Sequence, residues 1–182
     1  MTEHRAAAPL LPVPLAAPLA AVGGLLLWTA FPPVGWPPAA VIGFALVAAS
    51  LWGARLRRGA GIGAIAGAAF YGPLLGWMHV IGWDAWLALA ALYAGWVAVT
   101  GVGMALVSRL PAAPVWMASV WVLGEGLSGR IPWGGFPWGS LSFSQPGSPL
   151  ASWAWVGGSA LATFAVCLAG TCLVAVARGL RR

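Results

Sequence analysis

The 182-residue chain contains no lysine, only three acidic residues and two cysteines, and charged residues make up 7% of it. Soluble domains usually carry about 25% charged residues. Hydrophobic residues account for 61% of this chain, and its mean hydropathy is +0.90. This composition excludes a soluble globular domain, a disordered tail and a disulfide-rich scaffold. It predicts an integral membrane protein.

All the basic residues are arginines, and the formal net charge is +6. In a soluble protein such a charge would suggest a nucleic-acid partner. Here the arginines lie in short clusters between apolar stretches, which is typical of cytoplasmic loops that anchor membrane helices, so no nucleic-acid partner is expected. No spacing typical of metal ligands occurs, and neither a metal nor a cofactor is expected. Cys167 and Cys172 lie inside an apolar run and indicate nothing about the redox compartment.

Six apolar stretches are long enough, or nearly so, to cross a hydrocarbon core about 30 Å thick. They cover residues 15–31, 38–54, 59–83, 86–107, 114–128 and 150–177. The first two only just qualify and are predicted to form a short helical hairpin, and the third is predicted to kink near Pro73. The predicted fold is therefore all-α, a polytopic membrane helix bundle of about six transmembrane helices.

The arginines predict the orientation of this bundle, because positively charged loops stay in the cytoplasm. In a six-span arrangement only Arg130 falls on the outer side. The other eight fall on the inner side: Arg5, Arg55, Arg57, Arg58, Arg109, Arg178, Arg181 and Arg182. Both termini are then cytoplasmic. The predicted organisation is an N-terminal segment at 1–14, a transmembrane domain at 15–177 with a structured outer loop at 129–149, and an arginine-rich end at 178–182.

Small residues recur every fourth position in two spans and predict close helix packing there. The two stripes are Gly59, Gly63 and Gly67 in the third span, and Ser159, Thr163, Cys167 and Thr171 in the last. Nine of the thirteen tryptophans fall near the outer ends of spans. They are Trp28, Trp36, Trp77, Trp83, Trp86, Trp133, Trp138, Trp153 and Trp155. This asymmetry leaves two interpretations, an interfacial aromatic belt or a docking surface at the outer leaflet.

Glu125 is the acidic residue that stands alone within an apolar span. A helical rise of 1.5 Å per residue from Pro114 places it about 16 Å along the helix, inside the hydrocarbon layer. A carboxylate at that depth costs a few kcal/mol unless it is paired or neutral. Two hypotheses follow, a functional residue or a structural one that pairs with Arg130 or with tryptophan indoles. His79, near the outer end of the third span, is interpreted as an interfacial residue rather than a ligand.

The outer loop is rich in glycine, proline and aromatic residues, which predicts a compact, ordered loop. With the span before it, this loop resembles the apolipoprotein N-acyltransferase family. The motifs that carry the resemblance are Trp121-x-x-x-Glu125, Gly135-Phe136-Pro137-Trp138, Phe143-Ser144-Gln145 and Ser148-Pro149-Leu150. Further segments of the chain also resemble that family's membrane domain: Phe31-Pro-Pro-x-Gly-Trp-Pro37, Gly76-Trp77 to Gly82-Trp83, and Ser108-Arg109-Leu110. Many members carry arginine where Ser128 stands here.

The resemblance implies a multi-pass protein of the bacterial plasma membrane that takes part in lipoprotein biosynthesis. Members transfer an acyl chain from a phospholipid to the N-terminal diacylglyceryl-cysteine of an apolipoprotein, using a Glu-Lys-Cys triad in a nitrilase-like domain. A chain without lysine cannot contain that triad. The expectation is therefore the N-terminal membrane portion alone, a fragment that is inactive by itself, with no catalytic residue. The candidates for substrate binding or for seating the catalytic domain are Glu125, Arg130, Gly135, Phe136, Pro137, Trp138, Ser144 and Gln145.

Two other functions remain open from the residues. The first is a non-catalytic membrane anchor that recruits a partner enzyme such as a polyprenol-phosphate mannose synthase, as in some actinobacterial relatives of the family. The second is a small transporter that uses Glu125 as a proton relay, although such proteins usually show an internal repeat and none is evident here.

Overall fold

Helices account for all the regular secondary structure in the computed structural model, which describes residues 9–132 and 134–180. Within these residues no strand occurs. The six α-helices are α1 (Val13–Thr29), α2 (Pro38–Leu51), α3 (Leu56–Leu74), α4 (Trp83–Val107), α5 (Ala113–Ser128) and α6 (Ala154–Gly179). Three short 3₁₀ helices join them: η1 (Gly76–Val80), η2 (Leu141–Ser144) and η3 (Pro149–Trp153). The all-helical prediction is confirmed for this part of the chain. Arg5, Trp133, Arg181 and Arg182 lie outside it.

Two helical segments are long and apolar enough to cross a membrane, Trp83–Val107 and Pro149–Gly179. Two others, Pro14–Thr29 and Pro38–Leu51, are apolar but shorter. These shorter helices pack against each other as the predicted hairpin. A Cβ atom added to Gly43 would lie 2.6 Å from the carbonyl oxygen of Gly23, so the two backbones touch where side chains are absent.

The third predicted span is shorter than expected. Helix α3 ends at Leu74, and residues 76–80 form the separate 3₁₀ helix η1 instead of a continuation through Trp83. Pro73, in the last turn of α3, removes one backbone donor, and Gly76 is a poor helix former. The predicted kink is therefore a helix end. The indole Nε1 of Trp86 donates to the carbonyl of Gly72 at 2.9 Å and ties the start of α4 to the end of α3.

The last span is interrupted near its start, which the sequence analysis did not predict. Gly157 has φ −139° and Gly158 has φ +66°, both outside helical values. Positive φ is readily adopted by glycine and disfavoured for residues with a Cβ atom. The adjacent glycine pair is the one sequence signal that marks this break. Residues just before it are highly exposed, with Trp155 at 94% and Val156 at 83%.

Most of the described arginines lie at one end of the bundle. Arg109 donates to the carbonyl of Ala54 at 3.0 Å, and the guanidinium of Arg178 lies 4.5 Å from the centre of the Trp52 ring. Among the described arginines, all except Arg130 are at this end: Arg55, Arg57, Arg58, Arg109 and Arg178. The outer loop and Arg130 follow the opposite end of α5. The structure thus separates the two groups that the sequence analysis assigned to opposite faces of a membrane.

The glycine stripe of α3 packs against α4, as predicted. A Cβ atom on Gly63 would lie 2.4 Å from the carbonyl oxygen of Val97, and one on Gly59 would lie 3.0 Å from that of Gly101. Gly67 meets the side chain of Val97 in the same way. Contact at these distances leaves no room for a methyl group, so the α3–α4 separation depends on the absence of side chains along the stripe.

A methyl group on this stripe should therefore destabilise the bundle. We expect Gly63→Ala to lower the free energy of unfolding by about 1–3 kcal/mol through overpacking. Gly61→Ala is the matched control on the same helix, because a Cβ there meets no atom within 4 Å. It should be neutral or slightly stabilising, since alanine favours helix. Thermal unfolding in detergent micelles measures both, and equal midpoints would contradict the close α3–α4 contact.

Candidate functional site

The site is organised around Glu125, which lies in the last turns of α5 and is partly buried. Its carboxylate accepts four hydrogen bonds. Oε1 accepts from the indole Nε1 of Trp121 at 2.9 Å and from the backbone N–H of Leu141 at 3.0 Å. Oε2 accepts from the hydroxyls of Ser140 at 2.8 Å and Thr163 at 3.0 Å. These donors come from α5, from the outer loop and from α6, so one side chain joins three segments.

The proton inventory of this cluster suits an ionised carboxylate, which offers about four lone-pair positions and no donor. Ser140 and Thr163 each have a single hydroxyl proton, and both protons point to Glu125. Thr163 Oγ1 in turn accepts from the backbone N–H of Ser142 at 3.1 Å. The hydroxyl of Ser142 lies 3.0 Å from that of Ser140 and can donate to it. Every polar group of the cluster therefore has a partner.

The cluster is also fixed from the core side. Trp121 is buried, and its ring meets Phe44 of α2 edge-on with centroids 5.1 Å apart. A buried ring in such a contact has little freedom to rotate. Its indole N–H is therefore held towards Glu125, and α2 contributes indirectly to the position of the carboxylate.

Arg130 does not pair with Glu125. Its guanidinium donates to the carbonyl of Gly126, one turn earlier, at 2.7 Å. Of the two structural hypotheses for Glu125, the pair with Arg130 is therefore wrong, and the hydrogen bond from a tryptophan indole is confirmed. The other three donors to the Glu125 carboxylate are the Ser140 hydroxyl, the Thr163 hydroxyl and the Leu141 backbone N–H.

The predicted structured loop at 129–149 folds back over the end of α5. Gly135 has φ +74°, and a Cβ atom there would lie 2.1 Å from the carbonyl carbon of Gly129. The Phe136 N–H donates to the carbonyl of Ser128 at 3.2 Å, and the Phe136 carbonyl accepts from the hydroxyl of Tyr93 on α4. Glycine at 135 is thus required by both its backbone conformation and the close approach of the α5 end.

Aromatic rings extend from the core to this loop. Tyr71 of α3 and Tyr93 of α4 lie 4.4 Å apart between centroids, and Phe136 stacks on Trp138 at 6.0 Å. Trp138 in turn contacts Trp77 of η1 at 5.8 Å. These contacts hold the loop against α3, η1 and α4, while Trp77 and Trp138 each keep about half of their surface exposed.

A cleft of about 370 Å³ opens beside Glu125, between the ends of α5 and α6 and the outer loop. That volume is within the range of about 300–1,000 Å³ typical of ligand sites. It is lined by Tyr71, Val122, Glu125, Gly126, Ser128, Gly129, Arg130, Pro137, Trp138, Ser140, Phe143, Ser159 and Ala160. The cleft combines one arginine, one carboxylate and several hydroxyls with aromatic walls. Such a set can bind and orient a polar or anionic group.

The predicted site residues divide into three groups. Four of them line the cleft: Glu125, Arg130, Pro137 and Trp138. Gly135 and Phe136 shape the loop behind it. Ser144 and Gln145 are buried and bond to each other at 2.8 Å, and Gln145 also accepts from Ser148. The structure does not bring these two to the cleft, and their interactions stabilise the turn between η2 and η3.

The sequence predicted the indole partner of Glu125 but not its hydroxyl partners, Ser140 and Thr163. Ser140 and Thr163 lie 15 and 38 residues further along the chain, and Tyr71 comes from α3. Thr163 was interpreted only as part of a packing stripe. Its polar side chain in an apolar span was the one available signal, because membrane helices contain such groups where they find a hydrogen-bond partner. Thr171 of the same stripe bonds to the carbonyl of Pro114 at 3.1 Å across the α5–α6 contact.

The other chemically reactive side chains lie away from the cleft. His79 Nδ1 contacts the carbonyl of Gly76, and its ring stacks on Trp83 with centroids 5.5 Å apart, which fits the predicted interfacial position. Cys167 is buried and Cys172 is exposed, and neither lines the cleft. Within the described residues, no group of three histidine, cysteine, aspartate or glutamate side chains could hold a metal ion.

The fold and the site define a class: an apolar helical bundle with all of its described arginines except Arg130 at one end, and a polar cleft that includes Arg130 at the other. Residues 23–172 match the family model described as "Apolipoprotein N-acyltransferase N-terminal domain". The chain belongs to the apolipoprotein N-acyltransferase family, as a representative of this N-terminal domain, and the resemblance found in the sequence is confirmed.

A curated relative gives the same assignment. An apolipoprotein N-acyltransferase from Mycolicibacterium smegmatis is 42% identical over 162 residues. The matched part is 85% of this chain but 27% of the relative, so the chain spans about a quarter of that protein's length.

The Glu125 cluster predicts different outcomes for two substitutions. Glu125→Leu leaves the buried N–H donors of Trp121 and Leu141 without an acceptor, at about 1–3 kcal/mol each. Glu125→Gln keeps an oxygen for these two donors, and its amide can donate to the hydroxyls of Ser140 and Thr163, which then accept. We expect the leucine variant to unfold at a clearly lower temperature in detergent than the glutamine variant. Similar losses for both would indicate that the negative charge, not acceptor geometry, stabilises the cluster.

The loop offers a second test with an internal control. Gly135→Ala forces the backbone at Gly129 to move, whereas Gly134→Ala, also at positive φ, meets no atom within 4 Å. We expect the first substitution to loosen the loop more than the second. Limited trypsin digestion reports this as faster cleavage after Arg130. Equal cleavage rates in the two variants would contradict the packing of Gly135 on the end of α5.

Proposed function

We propose that this chain is the membrane domain of an enzyme that transfers a fatty acyl chain from a phospholipid to the N-terminal diacylglyceryl-cysteine of apolipoproteins. The observation that carries this proposal is the family match over residues 23–172. The relative's name states an N-acyltransferase. In this proposal the substrates are a phospholipid donor and an apolipoprotein acceptor, and the reacting groups belong to a part of the enzyme that this chain does not contain.

The proposed arrangement in the membrane has six spans, with both termini in the cytoplasm of a bacterial cell and the cleft at the outer face. The separation of Arg130 from the other described arginines supports it, because positively charged residues concentrate on the cytoplasmic side. The exposed tryptophans Trp77, Trp83 and Trp138, on η1, α4 and the outer loop, are suited to the headgroup region. The outer end is where a lipid donor and an exported lipoprotein would meet.

Within this function we assign the cleft and the outer loop to lipid entry and to seating the catalytic domain. Arg130, Pro137 and Trp138 line the cleft, and Glu125 fixes the backbone of the loop at Leu141. Gly135, Phe136, Ser144 and Gln145 maintain the loop shape from which these residues project. A rigid loop of this kind keeps its surface in one geometry without further ordering when a ligand binds.

The proposal predicts a specific effect of Glu125→Gln in the natural enzyme that contains this chain. The glutamine side-chain oxygen still accepts from Trp121 and Leu141, so the folded protein should reach the membrane at normal abundance. Because neutral hydrogen bonds replace the charge-assisted ones that hold the outer loop at Leu141 and Ser140, a weakening of about 1.4 kcal/mol in the loop position should lower lipoprotein N-acylation by about tenfold. Mass spectrometry of lipoprotein N-terminal peptides measures this in cells depleted of other N-acyltransferase activity.

Asp84→Asn is the matched control, because Asp84 is an exposed carboxylate in the first turn of α4 and lies outside the cleft. It should leave N-acylation unchanged. Unaltered acylation in the Glu125→Gln variant would remove the assigned role of Glu125. Absence of N-acylation in the wild-type enzyme itself would refute the proposed function.

A further inference from the structure

A second, apolar cavity lies on the side of the bundle between α5 and α6. It measures about 490 Å³ and is lined by Ser119, Val122, Leu123, Gly157, Ala160, Leu161 and Phe164. Leu123 is 60% exposed, so the groove opens sideways to whatever surrounds the bundle. Its single hydroxyl, on Ser119, is bonded to the Val115 carbonyl of its own helix at 2.9 Å. The walls therefore present hydrocarbon and no free polar group.

The break in α6 shapes this groove. Gly157 forms part of the wall, and a Cβ atom added there would lie 2.7 Å from the side chain of Leu161. A residue with a side chain at 157 would therefore displace Leu161 in the groove. The non-helical residues Gly157 and Gly158 thus lie at the apolar cavity, whose wall includes Gly157.

The groove and the polar cleft meet. Val122 of α5 and Ala160 of α6 line both cavities. On one side of these two residues the groove is lined by apolar side chains. On the other side the cleft is lined by residues that include Arg130, Glu125 and Ser140. An apolar groove that adjoins a polar cleft is complementary to an amphiphile. Its hydrocarbon chain would fit the groove, and its polar group would fit the cleft.

Arg130 determines the charge of the polar group that fits. Among the described residues, the guanidinium of Arg130 donates to the Gly126 carbonyl, and its remaining N–H groups belong to a side chain that lines the cleft. Guanidinium groups bind phosphate with paired hydrogen bonds. The carboxylate of Glu125 already has four donors and offers little to a cationic group. The cleft is therefore complementary to an anion at its Arg130 side.

We propose that the two cavities form one phospholipid site, in which Arg130 binds the phosphate and one acyl chain lies in the groove between α5 and α6. The inference rests on the proposed function, which requires a phospholipid at this end, and it assigns the position and the entry route. The lipid enters sideways from the outer leaflet, passing Leu123 and Phe164, without crossing the outer loop.

Photo-cross-linking in vesicles tests this site without relying on catalysis. The natural protein is reconstituted in phosphatidylethanolamine and phosphatidylglycerol with a trace of phosphatidylglycerol that carries a diazirine in the middle of one acyl chain. Peptide mass spectrometry then locates the adducts. We expect enrichment on residues 119–123 and 157–164 relative to the lipid-exposed surface of α4 around Val99, which is 66% exposed.

Three variants and one probe sharpen the test. Ala160→Trp fills the junction of the cavities and should remove most adducts from residues 157–164, whereas Val99→Trp, the matched control on α4, should not. Arg130→Gln should reduce the yield about tenfold, as for loss of one charge-assisted phosphate contact. A diazirine diacylglycerol, which has the chains without the phosphate, should label this site as weakly as the phospholipid labels the Arg130→Gln variant.

Three results would overturn the inference. These are uniform labelling of all exposed helix surfaces, no labelling between α5 and α6 because another segment of the natural protein fills the groove, and equal labelling by diacylglycerol. None of these results contradicts the proposed function, which is tested by lipoprotein N-acylation. Conversely, site-specific labelling in a protein without N-acylation would leave a phospholipid site in a protein of different activity.

Discussion

The outer end of this protein depends on one carboxylate that accepts four hydrogen bonds. Glu125 is the meeting point of α5, the outer loop and α6, through Trp121, Leu141, Ser140 and Thr163. In an apolar bundle an acidic side chain is unfavourable unless its acceptor capacity is used. The requirement to satisfy this group therefore fixes the start of η2 to the two helices and determines where the loop can lie.

The fixed loop leaves a polar cleft at the end of an otherwise apolar bundle. Arg130 lines that cleft and does not form an ion pair with Glu125, because its guanidinium donates to the Gly126 carbonyl instead. On the other side Gly157, at the break in α6, forms part of the wall of the adjoining apolar groove. The polar cavity thus lies beside the hydrogen-bonded carboxylate and the apolar one beside the interrupted helix, and the two meet at Val122 and Ala160.

Much of the helical architecture was predictable from local patterns. The apolar runs gave the helices, the spacing of Gly59, Gly63 and Gly67 indicated the α3–α4 contact, and the loop motif around Gly135 indicated the family. Errors arose where a helix stops inside an apolar run. Apolar residues continue on both sides of Pro73, so the run extends to Trp83 although the helix ends at Leu74. The break in α6 was hidden in the same way by the apolar sequence around it.

Residue content and pattern alone establish that this is an apolar helical protein, that Glu125 needs partners, and that the chain has no lysine. These properties follow from composition, periodicity and the high free energy of an unsatisfied carboxylate in hydrocarbon. The partners of Glu125 depend on the packing of the helices, because Ser140 and Thr163 are distant in the chain and their hydroxyls converge only when α5 and α6 pack. Packing likewise brought Val122 and Ala160 together where the polar and apolar cavities join.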